Sequence, residues 1–398
     1  MNLAKRVSLI KPSPTLALEA RAKAMKKEGI DVISFSAGEP DFDTPDGIKN
    51  AAIKAIQDGF TKYTASSGII ELRTAVADKL AKLHGLSYKP EDILISCGAK
   101  HSLYNLSMAL FEEGDEVIIP SPYWVTYPEQ ILLCGAKPVV VETSEDDGFL
   151  LRPQVLKEVL TKRTKGLILN TPSNPVGSAY SRLQLEQIAE IAVQNNIYVI
   201  SDETYEGIVY DGFKQSSIAS LNSDIFKLTI VVNGVSKSYA MTGWRIGYAA
   251  GPGNIIEAMG NIQSQSTSNP TSIAQKAALE ALSGKYEGFI TMMVERFDRR
   301  RHYIVNRLKE IPGVSCFLPI GSFYVFPNIS SILGRKFNNS VLDSSVKLAE
   351  YFLSEAKVAA VPGDAFGAPG HMRLSYATSM ENIEKGLDRI ESAIKHLR

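Results

Sequence analysis

Cysteine is scarce in this chain: three thiols, Cys97, Cys134 and Cys316, stand far apart among 398 residues. An odd number at that spacing builds neither a disulfide framework nor a close Cys/His zinc motif, so no metal site is expected, and the thiols read as small core residues of a reducing compartment. An excess of charge is missing as well. Lys plus Arg and Asp plus Glu both total 43, which leaves no whole-chain field to draw in nucleic acid or an anionic membrane; any anion recognition has to be local. Also missing is any run of about 18 apolar residues, and Met1 to Lys11 lack an apolar stretch of signal length; no membrane partner is expected, and a cytoplasmic location is. No internal repeat or low-complexity segment occurs. What remains is globular in character, with 44% hydrophobic and 22% charged residues, and long enough for one large and one smaller domain.

From about Asp92 to Val232 one pattern recurs: a short β-branched run, a polar turn, then an amphipathic stretch of helical length. It predicts an α/β domain with a mainly parallel sheet flanked by helices. Strands are expected at Ile93 to Ser96, Glu116 to Ile119, Pro138 to Val141, Gly166 to Leu169, Tyr198 to Ser201 and Leu228 to Val232. Helices are expected at Ser102 to Phe111 and Arg182 to Gln194, the latter with Leu185, Ile188, Ala189 and Ala192 at helical spacing. The two ends differ from this middle. Residues 14–45 suggest a helix and an extended Gly/Pro-rich passage, and residues 286–398 a long charged helix, short strands and a closing helix. The expected division is an N-terminal segment, 1–45, joining a small α+β domain, a large domain over 46–285, and the small C-terminal domain over 286–398. The run Arg299, Arg300, Arg301 inside the long helix reads as a solvated face.

In open α/β sheets, ligands sit beyond the carboxyl ends of the strands, so polar residues just after strands carry the functional information. The densest such stretch is Asn233-Gly234-Val235-Ser236-Lys237-Ser238-Tyr239-Ala240-Met241-Thr242-Gly243-Trp244-Arg245-Ile246-Gly247. A lysine reaching inward from a strand end becomes a nucleophile if burial and neighbouring positive charge favour its neutral amine. Arg245 offers a bidentate fork for a phosphate and Ser236 a hydroxyl donor. Cys97-Gly98-Ala99-Lys100 joins a strand to a helix start, where backbone N–H groups suit an anion. Trp124, in Pro122-Tyr123-Trp124, could stack on a planar ligand and donate its indole N–H, and Gly38 permits close backbone approach. Each has a plainer reading: a solvated loop lysine, an exposed helix-start Lys100, a core tryptophan, an N-cap for Asp202, a ligand-free turn at Asn174-Pro175-Val176-Gly177, a surface Arg373.

Together these residues are less ambiguous. Gly234-Val235-Ser236-Lys237 followed by Arg245-Ile246-Gly247 resembles, position by position, the lysine attachment signature of the class I aminotransferases, and further matches run in family order from Ser36 to Arg373. Within that family the chain looks most like the bacterial aspartate (aspartate/prephenate) branch, with Met241-Thr242-Gly243-Trp244-Arg245 after the lysine and Lys100 in the Gly98-Ala99-Lys100 loop. The resemblance implies an aspartate aminotransferase-like fold and pyridoxal 5′-phosphate as cofactor. By the same resemblance Lys237 is the catalytic residue and attachment point. Ser236, Arg245, Ala99 and Lys100 hold the phosphate, and Tyr63 reaches that of a neighbouring subunit in a homodimer with shared active sites. Asp202 pairs with the pyridine nitrogen, Tyr205 and Asn174 bond the ring oxygen, and Trp124 stacks on the ring. Arg373, Asn174, Trp124 and Gly38 receive the substrate α-carboxylate, and Lys100 is the candidate for a distal carboxylate, because Ser264 to Ser268 lacks the arginine that another aspartate branch uses there. Two further departures are Val176 for a frequent Thr and a missing proline pair in Ser66-Ser67-Gly68-Ile69-Ile70-Glu71-Leu72. The implied substrates are an amino acid and a 2-oxo acid, the implied reaction amino transfer from L-aspartate to 2-oxoglutarate. An aminotransferase of prephenate, aromatic or broad specificity, or a lyase using the same cofactor, is the alternative.

Overall fold

A computed structural model describes residues 3–10 and 14–398 of the chain. Its centre is a seven-stranded sheet, here numbered in chain order as β1 (Ile93–Ser96), β2 (Glu116–Ser121), β3 (Lys137–Glu142), β4 (Thr164–Asn170), β5 (Tyr198–Asp202), β6 (Thr229–Gly234) and β7 (Gly247–Ala250). The spatial order is β1-β7-β6-β5-β4-β2-β3. Strands β6, β5, β4, β2 and β3 are mutually parallel, whereas β7 runs antiparallel to both of its neighbours. The sheet is therefore mainly parallel, with helices packed on it, as the alternating pattern predicts. All six expected strands are present, each within a few residues of its expected ends. The seventh, β7, was not anticipated, because Gly247-Tyr248-Ala249-Ala250 offers only four residues and no polar alternation; all four are buried between two strands.

The periodic helices form where expected. Arg182–Gln194 opens with a reciprocal cap between Ser181 and Gln184 and buries Leu185, Ile188, Ala189 and Ala192 against the sheet. At the edge, β3 is half exposed and carries Lys137, Pro138 and Glu142, residues that discourage pairing with another strand. No helix among the described residues is long and apolar enough to cross a membrane.

Both chain ends pack together. Ile33–Ser34 pairs in parallel with Val358–Ala359, and Tyr324–Val325, Met372–Ser375 and Val361–Pro362 form a small antiparallel sheet. Phe35 from one end and Phe297, Phe323, Tyr324 and Tyr376 from the other share one buried cluster, closed by the helix Met380–Lys395 through Ile383, Leu387, Ile390 and Ile394. The cysteines are unpaired: Cys316 is buried, Cys97 and Cys134 half-buried.

One expectation is overturned. The arginine run does not form a solvated face, because Arg301 is fully buried. Its guanidinium makes two bonds to Asp211, at 2.8 and 2.9 Å, one to Asp298 and one to the Pro319 carbonyl, and lies 4.5 Å from the centre of the Tyr210 ring. Only Arg299 is exposed; Arg300 pairs with Asp41 at 2.7 Å. The cause is helical period: Phe297, Arg301, Val305 and Leu308 lie on one stripe of Glu287–Glu310, and that stripe faces the core.

The start of β7 is also the tightest backbone contact beside the sheet rim. A Cβ on Gly247 would lie 2.2 Å from the Ala99 nitrogen and 2.5 Å from the Gly98 carbonyl carbon, so no side chain fits. Gly247→Ala is expected to push the helix starting at Ala99 off the sheet and lower stability by about 1–3 kcal/mol. A fall in the urea midpoint checks this; an unchanged midpoint contradicts it.

Candidate active site

The carboxyl ends of β1, β2, β4, β5 and β6 meet at one rim, and because β7 is reversed its beginning lies there too. Residues just before β7 are thereby brought beside residues just after β6. A cleft of about 430 Å³ opens at this rim.

Lys237 follows β6 and is half-buried in the cleft. Its Nζ donates to the Gly38 carbonyl at 2.5 Å and lies 5.8 Å from the centre of the Tyr205 ring. Burial pulls its pKa down to about 8; Arg245 and Arg373 push the same way, against Glu39 and Asp202. An amine in that state is a usable nucleophile and base near neutral pH.

Asp202 closes β5 and is buried. Its Oδ2 accepts from the Tyr127 hydroxyl at 2.6 Å, and its Oδ1 from the Thr204 hydroxyl at 2.6 Å and the Thr204 N–H at 3.2 Å. Burial raises its pKa, and the bonds from Thr204 and Tyr127 oppose that rise. It therefore caps the local turn and also faces the cleft, so the plain and functional readings describe the same carboxylate. Tyr205 is buried beside it, its hydroxyl 3.0 Å from that of Tyr324.

Arg373 is the opposite of a surface arginine. It is 2% exposed, donating from Nη1 to Asn174 Oδ1 at 3.0 Å and from Nη2 to the Ser36 carbonyl at 2.8 Å. The Tyr324 and Phe366 rings flank its guanidinium at 4.5 and 5.1 Å. Its Nε is buried without a hydrogen-bond partner, which marks unused donor capacity at the cleft wall. Asn174 is held in turn by its N–H to Asn170 Oδ1, at 2.8 Å.

The opposite wall is an anion cradle. Gly98, at φ +89°, precedes the helix Ala99–Leu110, and a Cβ there would stand 2.3 Å from Arg245 Nη2. Arg245 is itself left-handed, at φ +56°, and is fixed by Nη1 donating to the Thr242 carbonyl at 2.9 Å. Ala99, Ser236 and Arg245 all line the cleft. Helix-start N–H groups, a hydroxyl and a guanidinium make a donor set suited to a phosphate. Lys100, exposed along its stem, brings Nζ to 4.9 Å from the centre of the Trp124 ring; burial, then Arg245, lowers its pKa. Gly38 and half-buried Trp124 complete this part of the lining.

The cleft thus gathers the expected site residues with one exception. Tyr63 is 90% exposed and lies outside the lining. Several residues of the site receive no role from the sequence: Tyr127, Thr204, Tyr324, and Glu39, which accepts from the Thr242 hydroxyl at 2.7 Å. Tyr127 lies in the first turn of the helix just after Trp124 and meets its ring edge-on, with centroids 5.4 Å apart. Tyr324 lies on a two-residue strand far along the chain, with no local signal.

With this geometry established, comparison with known proteins is decisive at the level of family. Residues 30–390 match the family model "Aminotransferase class I and II". The chain is 49% identical over 397 residues to a probable aspartate/prephenate aminotransferase of Aquifex aeolicus, covering 100% of this chain and 99% of the relative. It is 48% identical to the aspartate aminotransferase of Geobacillus stearothermophilus, with 98% of each covered. Among solved structures, the aspartate aminotransferase of Rhizobium meliloti superposes with a TM-score of 0.96 at 43% identity, covering 100% of both chains. That of Thermus thermophilus, with maleate, gives 0.93 at 43% identity, covering 99% of this chain and 100% of the other. A full-length match in sequence and in fold, on a cleft centred on Lys237, makes this chain a member of the class I and II aminotransferases.

Proposed function

We propose that this aminotransferase moves the amino group of L-aspartate to 2-oxoglutarate, with pyridoxal 5′-phosphate attached to Lys237. The observation that carries the reading is one buried amine with a lowered pKa, set between a phosphate-type donor cradle and a buried carboxylate. The side chains fit that cofactor. Gly98 leaves the space that a Cβ would fill beside Arg245, and Ala99, Lys100, Ser236 and Arg245 would hold the phosphate. Asp202 would face the pyridine nitrogen, Tyr205 and Asn174 the ring oxygen, and Trp124 the ring face. When bound, the cofactor supplies an electron sink that makes the substrate Cα–H acidic.

The remaining chemistry belongs to the chain. Arg373 and Asn174, with the Gly38 N–H and the Trp124 indole, would receive the α-carboxylate, and the unpartnered Arg373 Nε offers a donor for it. Fixing the carboxylate sets the direction of the Cα–H bond, a proximity effect worth up to roughly 7–11 kcal/mol in favourable cases. Lys237 Nζ, in its neutral form, would accept the Cα proton as general base and, as the ammonium, give a proton back as general acid. Asp202, oriented by Tyr127 and Thr204, would pair with the ring nitrogen and favour a proton there. Lys100 at the rim would pair with the distal carboxylate. Maleate, present in the Thermus thermophilus structure, is a dicarboxylate, which supports an acidic substrate. The division at residues 45/46 and 285/286 belongs to the same reading, with the packed chain ends as the smaller domain. We also propose a cytoplasmic location, in keeping with three free thiols.

Tyr63 fits a homodimer with shared sites. Ile53, Ile56, Tyr63 and Ile70 are all exposed on neighbouring segments of the chain, an apolar surface that a second copy would cover. Light scattering is expected to give twice the chain mass; a single-chain mass would remove Tyr63 from the site.

The lysine is tested on cofactor-free protein. Below pH 8 its amine is protonated and inert, above it neutral and reactive, so trapping of a small aldehyde at Lys237 by borohydride should rise through about pH 8 and then level. A normal lysine keeps gaining reactivity towards pH 10. Lys237→Ala should lose the label and lower kcat by at least about 10²–10⁴-fold; retained turnover would end the reading.

For specificity, Lys100→Ala should lower kcat/KM for aspartate by about 10–100-fold, the worth of a charged hydrogen bond, and spare apolar amino acids. An unchanged aspartate rate would favour a prephenate, aromatic or broad substrate range.

A further inference from the structure

A second cavity, of about 460 Å³, shares no lining residue with the first. The two are nonetheless neighbours along the chain: Tyr205 and Lys237 line one, Glu206 and Ser238 the other. Beside the second cavity lies a group of polar side chains that amino transfer does not use. His84, at the end of the helix Ile70–His84, brings Nε2 to 3.1 Å from Glu206 Oε2 and 3.9 Å from Glu203 Oε2. Glu203 is 0% exposed, and its Oε2 has no hydrogen-bond partner. A fully buried carboxylate oxygen left bare is costly unless something fills the position it faces.

We propose that His84, Glu203 and Glu206 form a site for a divalent cation, best suited to zinc. The three ligand atoms lie within 4.8 Å of one another. Zinc bonds to nitrogen and oxygen of about 2.0–2.2 Å place tetrahedral neighbours roughly 3.3–3.5 Å apart; the two separations from the imidazole, 3.1 and 3.9 Å, bracket that spacing, and the carboxylate oxygens lie within 4.8 Å of each other, so binding would draw the three side chains together. The supporting contacts also suit a metal. Glu203 Oε1 accepts from Ser201 at 2.8 Å and from Ser217 at 2.6 Å. Glu206 Oε1 is held by the Lys79 ammonium, which also reaches the Tyr248 hydroxyl at 3.0 Å. Each carboxylate thus has one oxygen anchored and the other turned to the imidazole, as outer partners orient metal ligands. Lys79 occupies the far oxygen of Glu206, and the near one shares a 3.1 Å hydrogen bond with His84 Nε2 that a bound ion would replace. His84, Glu206 and Lys79 line the cavity, which gives the ion a path in and water a fourth coordination position. One imidazole with two carboxylates favours zinc over calcium or magnesium, which take oxygen ligands. Glu203 and Glu206 are three residues apart, but His84 lies far from both in sequence, so Cys/His spacing gives no sign of the group.

The test is zinc itself, titrated into chelator-treated full-length protein and measured by equilibrium dialysis. One saturable zinc per chain is expected. His84→Ala should abolish it, and Ser217→Ala, which removes only a supporting hydroxyl, should weaken it by about tenfold. X-ray absorption on the wild type should report one imidazole with oxygen neighbours, a readout independent of whether the His84 variant folds. No saturable zinc, sulfur in the coordination shell, or affinity unchanged in both variants would overturn the proposal. None of these outcomes depends on the aspartate reading.

Discussion

One buried guanidinium ties the three parts of this chain together. Arg373 comes from the small C-terminal sheet, Ser36 from the N-terminal passage and Asn174 from the loop after β4, and two hydrogen bonds join them. A charge so buried is tolerated only where its donors are met or a ligand is expected. The Tyr324 and Phe366 faces supply part of the compensation; the bare Nε does not. The fold therefore holds a cation poised for an anionic partner at a point where both chain ends meet a loop of the sheet, and the cleft is completed by that meeting.

Charge placement in the cleft follows from the same geometry. Arg245 and Arg373 flank Lys237 from opposite walls, and burial with their fields favours its neutral form, while Asp202 and Glu39 oppose them. Had β7 run parallel to β6, Arg245 would enter from the far edge of the sheet. Its reversal sets Gly247 opposite both Gly234 and Ser96, so the arginine, the lysine loop and the helix at Ala99 converge within a few ångströms. The glycine pair is the backbone's answer to that crowding.

The central sheet and most of the cleft were legible because their signals are local. A β-branched run followed by a polar turn announces each parallel strand, and residues just past those strands became the site. Lys237, Asp202, Asn174 and Lys100 were found this way, and the family resemblance gave their roles. Long-range effects were not legible. Strand β7 is too short to stand out, and Tyr324 and Arg373 reach the cleft only after the chain ends fold back. Arg301 is hidden for another reason: helical period outweighs composition there. Three arginines in a row suggest solvent, but four residues past Phe297 a side chain lies on the same stripe and is carried into the core with it. Bidentate pairing to Asp211 makes that burial tolerable.

The alternation of side chains at strand ends explains why so much chemistry concentrates in a few residues. Successive positions on an extended chain face opposite ways. At the end of β5, Asp202 turns to the cleft and Glu203 to the serines and His84. The turn continues the split, with Tyr205 and Glu206 on separate cavities, and the lysine loop repeats it with Lys237 and Ser238. Glu203 and Glu206 are each one peptide bond from a residue of the cleft. The polar group and the cleft thus share one stretch of backbone, although no residue lines both cavities.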